Sequence, residues 1–168
     1  MFDLFQVIED ISKSDPNLSL PVVTFKALLQ YTRQSTALTA AEFSTNLDTL
    51  KKLLAASTAR FVLLAGYDMF INVKTKVEDA NVDLYSKEFR EKIIEAGINH
   101  LKDCENDRES AAQHGCEFIK NGSVILVHSY SRLVMLLLRK AAQRFNFKVF
   151  VTQTAGASAQ FSGYHFLI

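Results

Sequence analysis

The stretch Asn121-Gly-Ser-Val-Ile-Leu-Val-His-Ser-Tyr-Ser-Arg132 decides how this chain is built. Four consecutive β-favouring apolar residues, Val124 to Val127, suit a strand buried on both faces, as strands of parallel sheets are. Polar residues stop the run at His128, and the amphipathic segment Leu133 to Phe145 follows at once, so the stretch reads as strand, tight turn, helix. In open parallel sheets ligands gather at the carboxyl ends of strands, where a new helix offers unpaired N–H groups and a positive dipole end to an anion. His128, Ser129, Tyr130, Ser131 and Arg132 are therefore the candidate phosphate- or ligand-binding residues. A competing assignment leaves His128 bonded to a neighbouring loop, Ser129 or Ser131 capping the helix, and Arg132 solvating its end.

Toward the C-terminus, Val149 to Val151 supplies a second strand, and residues 122–168 read as the strand-helix-strand opening of a Rossmann-like parallel sheet. Two parallel strands cannot bury both faces, and only residues 153–168 follow, so this second domain is expected to be incomplete. In that tail Ala155-Gly-Ala-Ser-Ala159 is small and loop-like, while Phe161, Tyr164, Phe166, Leu167 and Ile168 follow no period. The combination suggests a truncated, alternatively spliced or frame-shifted product.

Toward the N-terminus, residues 1–121 have helical periodicity almost throughout. Leu4, Val7, Ile8 and Ile11 form one apolar stripe, and Phe25, Leu28 and Leu29 another after Pro21, which suits a first helical turn. Thr39-Ala-Ala-Glu42 has the capping-box spacing, with Phe43, Leu47, Leu50 and Leu54 on one face behind it. Arg60 to Val77, Ser86 to Leu101 and Arg108 to Lys120 predict three more helices, the last closed by Asn121-Gly122. The fold class is α/β, a bundle of five or six helices followed by the start of a parallel sheet.

Composition narrows the function. A net charge of +1 with no Lys/Arg cluster gives no electrostatic footprint for nucleic acid. Cys104 and Cys116 are too few and wrongly spaced for a zinc site and read as buried or half-buried thiols in a reducing compartment. No apolar run approaches the ~20 residues of a spanning helix, and Asp3, Glu9 and Asp10 make the start unlike a signal peptide, so no membrane is involved and the location is cytoplasmic. Glu78, Asp79, Asp83, Asp103, Glu105, Asp107 and Glu109 read as solvated loop residues with no His or Cys at ligand spacing. His100 and His114 read as packing or surface residues. Neither metal nor cofactor is expected.

An α-helical first half feeding Ile-Leu-Val-His-Ser-Tyr-Ser-Arg132 resembles the alpha-subunit family of eukaryotic translation initiation factor 2B. The Leu28-Leu29 pair after a Pro-containing helix, Thr39 to Glu42 with Asn46-Leu47, Phe118-Ile-Lys-Asn-Gly122 and Val149-Phe-Val-Thr152 carry the resemblance in order, over roughly residues 1–152. Beyond it the family's Val-Thr-Glu-Ser and Pro are replaced by Gln153-Thr154-Ala155. The resemblance implies a regulatory, non-catalytic subunit of the exchange factor for initiation factor 2. It further implies partners in the other subunits of that factor, and a contact of Thr39, Glu42 and Asn46 with the phosphorylated alpha subunit of initiation factor 2. In the full-length form it implies a homodimer and a sugar-phosphate-type pocket. Related sugar-phosphate isomerases carry a Cys in the turn after this strand, where this chain has His128-Ser129-Tyr130, so the nucleophilic thiol is absent. An isomerase relative and a non-functional truncated product are the alternative identities.

Overall fold

The computed structural model describes residues 2–80, 87–128 and 130–152. Its elements are helices α1 (Leu4–Ser14), α2 (Leu20–Gln34), α3 (Ala40–Ala55), α4 (Arg60–Ala80) and α5 (Lys87–Cys116), then strand β1 (Val124–His128), helix α6 (Arg132–Ala142) and strand β2 (Lys148–Thr152). This is the α/β class expected, helices first and a parallel strand-helix-strand unit after them. The chain divides into two compact units, residues 1–102 and 103–168. The grammar of the sequence changes at Gly122, whereas the packing divides inside α5.

In the first unit the apolar stripes meet as their periods dictate. Leu4 and Ile8 of α1 and Phe43, Leu47, Leu50 and Leu54 of α3 are buried. Helix α2 is different, because Val23, Phe25, Ala27, Leu28, Leu29 and Tyr31 cover most of its circumference and all are buried. Its two buried threonines each turn the hydroxyl back on their own helix. Thr24 Oγ1 donates to the Leu20 carbonyl at 2.9 Å and Thr32 Oγ1 to that of Leu28 at 2.8 Å. Aromatic rings fill the space around α2, with Phe25 edge-on to Phe70 at 6.2 Å and Tyr31 stacked on Phe43 at 5.9 Å. Neighbouring helices approach α2 through residues that lack a side chain. A Cβ on Gly66 of α4 would fall 2.3 Å from the Pro21 carbonyl oxygen, and one on Gly97 of α5 would fall 2.5 Å from Leu29 Cδ2.

Helix α4 also buries two polar side chains. Lys74 donates to Glu78 Oε1 at 2.6 Å one turn away, which compensates its burial. Tyr67 is buried with the Lys51 ammonium 5.5 Å from its ring centre. Burial, reinforced by the charges of Asp48 and Asp68, raises its phenol from the ordinary 10.0 to about 12.

Two expectations need correction here. The segments 86–101 and 108–120 are not separate helices; Lys87–Cys116 is one helix of 30 residues. No Gly or Pro interrupts Lys102 to Asp107, so the backbone ladder continues, and Asp103, Glu105, Asp107 and Glu109 lie exposed on a helix instead of in a loop. Glu109 pairs with Lys140 of α6 at 2.6 Å. Ser86, Asp83 and the tail 153–168 lie outside the described residues.

In the second unit β1 and β2 pair in parallel, with Val124 opposite Lys148 and His128 opposite Thr152. The register is set at the strands' entry. Gly122, at φ +80°, donates to the Asn146 carbonyl at 2.7 Å, Asn146 N–H donates to Asn121 Oδ1 at 2.8 Å, and Lys148 N–H donates to the Ser123 carbonyl at 2.9 Å. Val127, Leu138, Ala141, Cys116 and Ile119 form the core, with Ile125, Val149 and Val151 packed against them. The expectation that β1 is buried on both faces fails: Val124 and Leu126 are 67% and 72% exposed, and Phe150 of β2 is 58% exposed. Within the described residues only one face of this sheet is covered, so alternate residues stay at the surface. Cys116 donates weakly to the Leu137 carbonyl at 3.5 Å, Cys104 is half-buried, and neither forms a disulfide. No helix is long and apolar enough to cross a membrane among the described residues.

Replacing Gly66 by Ala should destabilise the first unit by about 2 kcal/mol or more, measured by urea unfolding, because a backbone carbonyl cannot move aside as a side chain would. A pH effect follows from Tyr67. Between pH 10.0 and about 12 the unfolded chain loses a phenol proton that the folded chain keeps, so stability falls as pH rises through that window and is fully retained below it. Tyr67→Phe should flatten this loss relative to the parent when urea midpoints are compared across the same pH range.

Candidate functional site

The candidate residues form two groups, one in each compact unit. In the first, Thr39 and Glu42 open α3. The Thr39 side chain accepts from the Glu42 N–H at 3.1 Å, as the capping-box spacing requires. The return bond lands one residue earlier than the motif implies, with the Leu38 N–H donating to Glu42 Oε2 at 2.8 Å. The carboxylate therefore ties down the residue before the cap as well as complementing the helix dipole. Asn46 sits one turn further along α3, half-buried. Next to this start, Leu38 is 84% exposed, and the Arg90 guanidinium of α5 donates to the Ala37 carbonyl at 3.0 Å. The result is a rigid helix end with polar groups and one apolar side chain at the surface.

The second group gathers at the carboxyl end of β1. His128 ends the strand with its side chain exposed, and its Nδ1 lies 2.7 Å from Thr152 Oγ1, the residue opposite it on β2. Ser131 is the N-cap of α6, its hydroxyl accepting from the Val134 N–H at 3.4 Å, so the capping assignment describes its local role. The helix begins at Arg132, one residue ahead of the expected start at Leu133. Tyr130 lies at the surface between strand and helix, and Ser129 lies outside the described residues. Thr152 was missed in the sequence, because its place beside His128 depends on strand register, which the run of apolar residues does not report.

This arrangement has a definite electrostatic character. A cation in the first turn of a helix opposes the helix dipole, so the half-buried Arg132 is better placed when an anion lies between its guanidinium and the uncapped N–H groups of α6. His128 and Thr152 present polar atoms on the same edge. No group of three His, Cys, Asp or Glu residues that could hold a metal ion converges among the described residues.

Comparison with known proteins places these features in a family. The model of the initiation factor 2 subunit family matches residues 13–165, running beyond Thr152, the expected end of the resemblance. Among curated proteins, translation initiation factor eIF2B subunit alpha of Dictyostelium discoideum is 27% identical over 162 residues, covering 93% of this chain and 48% of that protein. Among solved structures, a chain of the tetrameric eIF2B-beta2-delta2 complex of C. thermophilum superposes with a TM-score of 0.71 at 17% identity, covering 89% of this chain and 51% of that chain. The eIF-2B of Pyrococcus horikoshii OT3 gives a TM-score of 0.54 at 16% identity, covering 90% and 50%. At these identities the structural likeness shows the fold. The chain spans about half the length of the relatives it matches. Since the family's model extends over most of the sequence, from residue 13 to 165, this chain belongs to the initiation factor 2 subunit family.

Proposed function

We propose that this chain is a regulatory, non-catalytic subunit, or the corresponding half of one, of the exchange factor that reloads initiation factor 2 with GTP, acting in the cytoplasm. The observation that carries this reading is the family match over residues 13–165, joined to the likeness to an eIF2B alpha subunit. The division of labour follows the change of sequence grammar at Gly122. Residues 1–121 recognise the phosphorylated alpha subunit of initiation factor 2 through Thr39, Glu42 and Asn46. Residues 122–168 begin the sheet whose exit, with His128, Ser129, Tyr130, Ser131 and Arg132, holds a sugar-phosphate-type anion once the remainder of the family's length is present. The other exchange-factor subunits and a second full-length copy are its assembly partners.

The chemistry favours recognition over turnover. Ser129 stands where the isomerase relatives have a thiol, and an alcohol is a far weaker nucleophile than a thiol near neutral pH. A partner that binds one state of the assembly better than another changes exchange by linkage, with no chemistry in this subunit. The capped start of α3 supports the assignment of the contact, because a fixed backbone presents polar groups at little entropic cost.

Asn46 separates recognition from folding, since it lies outside the cap. Asn46→Ala should weaken co-purification of the assembled exchange factor with the phosphorylated partner by roughly fivefold or more while leaving the melting temperature of this chain unchanged. Unchanged capture of the phosphorylated partner, or equal capture of the unphosphorylated one, would overturn the proposal. As the matched control, Thr39→Ala should cost about 1 kcal/mol of stability through the lost cap, and Thr39→Ser should restore it.

A further inference from the structure

A small cavity of about 240 Å³ lies between α3 and α4, wholly within the first unit. Ser44, Leu47, Asp48 and Lys51 line it from α3 at the spacing of one helix face, and Asn46, between them in sequence, belongs to another face. Tyr67, Asp68, Ile71 and Lys74 line it from α4. Tyr67 is 3% exposed, and no group among the described residues hydrogen-bonds its hydroxyl. Every fully buried side-chain oxygen among the described residues does have a partner, so this hydroxyl is not sealed in and opens on the cavity that Tyr67 lines. It gains a hydrogen bond only from what enters that space.

We propose that the cavity binds a protonated primary amine. The lining charges set the sign of the ligand. Lys74 is paired with Glu78 at 2.6 Å and contributes no free charge. Asp48 and Asp68 are exposed, and no ion pair engages either of them among the described residues. Lys51 lies over the Tyr67 ring, 5.5 Å from its centre, and pairs with neither carboxylate, so two negative charges meet one positive charge. Both carboxylates lie near enough to the phenol to help hold its proton. An ammonium has three N–H donors and no acceptor, which matches two carboxylates and the lone pairs of the Tyr67 oxygen. Leu47 and Ile71 supply an apolar wall for the alkyl chain behind it. The volume of 240 Å³ is below the ~300 to 1,000 Å³ of pockets that enclose drug-sized ligands, which limits the occupant to one small head group on a short chain. A free alkylamine and a lysine side chain of a protein partner both offer this chemistry. A metal ion matches less well, since no group of three His, Cys, Asp or Glu residues that could hold one converges among the described residues. The inference is independent of the proposed function, because it uses neither Asn46 nor the strand exit.

The test follows the whole chain by NMR with isotope-labelled tyrosine rings, the Tyr67 resonance being identified by its loss in Tyr67→Phe. Titration with butylammonium chloride at neutral pH should shift that resonance saturably. Tetramethylammonium chloride at equal ionic strength, a cation with no N–H to donate, should not. The double variant Asp48→Asn, Asp68→Asn, altering two exposed side chains, should weaken butylammonium binding by at least roughly tenfold. Lys51→Met should tighten it by roughly threefold, since a competing positive charge leaves the rim. Because this variant gains affinity, loss of structure cannot imitate it. The proposal is overturned by the absence of a saturable shift with butylammonium, by an equal response to tetramethylammonium, by binding that survives the double variant, or by binding that fails to tighten in Lys51→Met. A tighter saturable response to magnesium chloride overturns it as well, by assigning the carboxylates to a metal ion. The blocked peptide acetyl-Gly-Lys-Gly-amide separates the two sources: tighter binding than butylammonium assigns the cavity to a partner's lysine, and weaker binding assigns it to a free amine.

Discussion

The burial of α2 constrains the first unit more than any other interaction. A helix covered on nearly all sides cannot be amphipathic in the ordinary way, and each polar group it carries must be satisfied from within. Thr24 and Thr32 meet that requirement by bonding to carbonyls one turn back, and no buried side-chain nitrogen or oxygen lacks a partner among the described residues. The same burial demands close neighbours, which explains why Gly66 and Gly97 fall where α4 and α5 touch α2. With α2 held, α3 and α5 have fixed positions within this unit. The capped start of α3 and the Arg90 bond to Ala37 then have a rigid base.

The second unit depends on hydrogen bonds instead of depth. Its two strands have only one covered face, and the ladder's register is held at the entry by Asn121, Gly122, Ser123 and Asn146. That clamp acts at a distance, because the same register brings Thr152 opposite His128 at the exit. A polar edge with an arginine at a helix start suits an anion electrostatically, whereas a covalent reaction would need an activated nucleophile.

In each unit a locally fixed backbone presents polar atoms at the surface. Regulation by binding needs this type of surface, since its strength comes from differences in affinity between states. The cap at Thr39 illustrates how local bonds fix such a surface. Its bonds are local, yet their effect is to hold Leu38 and the first turn of α3 in one conformation.

Much of this was legible in the sequence wherever the signal was local. The capping box, the stripes of α1 and α3, Pro21 in the first turn of α2 and the strand-helix-strand order all follow from hydrogen bonding and side-chain period within a few residues. The joining of 87–116 into one helix was partly legible, since no breaker interrupts it, but the acidic residues Asp103 to Glu109 mimic a loop in composition. Tertiary structure alone decided which faces are covered: a run of four apolar residues is the same sequence whether one helix or two pack on the strand, and here Val124 and Leu126 remain exposed. It also decided the pairing of His128 with Thr152, the approach of Gly66 to Pro21, and the cavity shared by Asp48 and Tyr67. Each of these joins residues distant in sequence, and a local period records which side of an element is apolar without recording what that side meets.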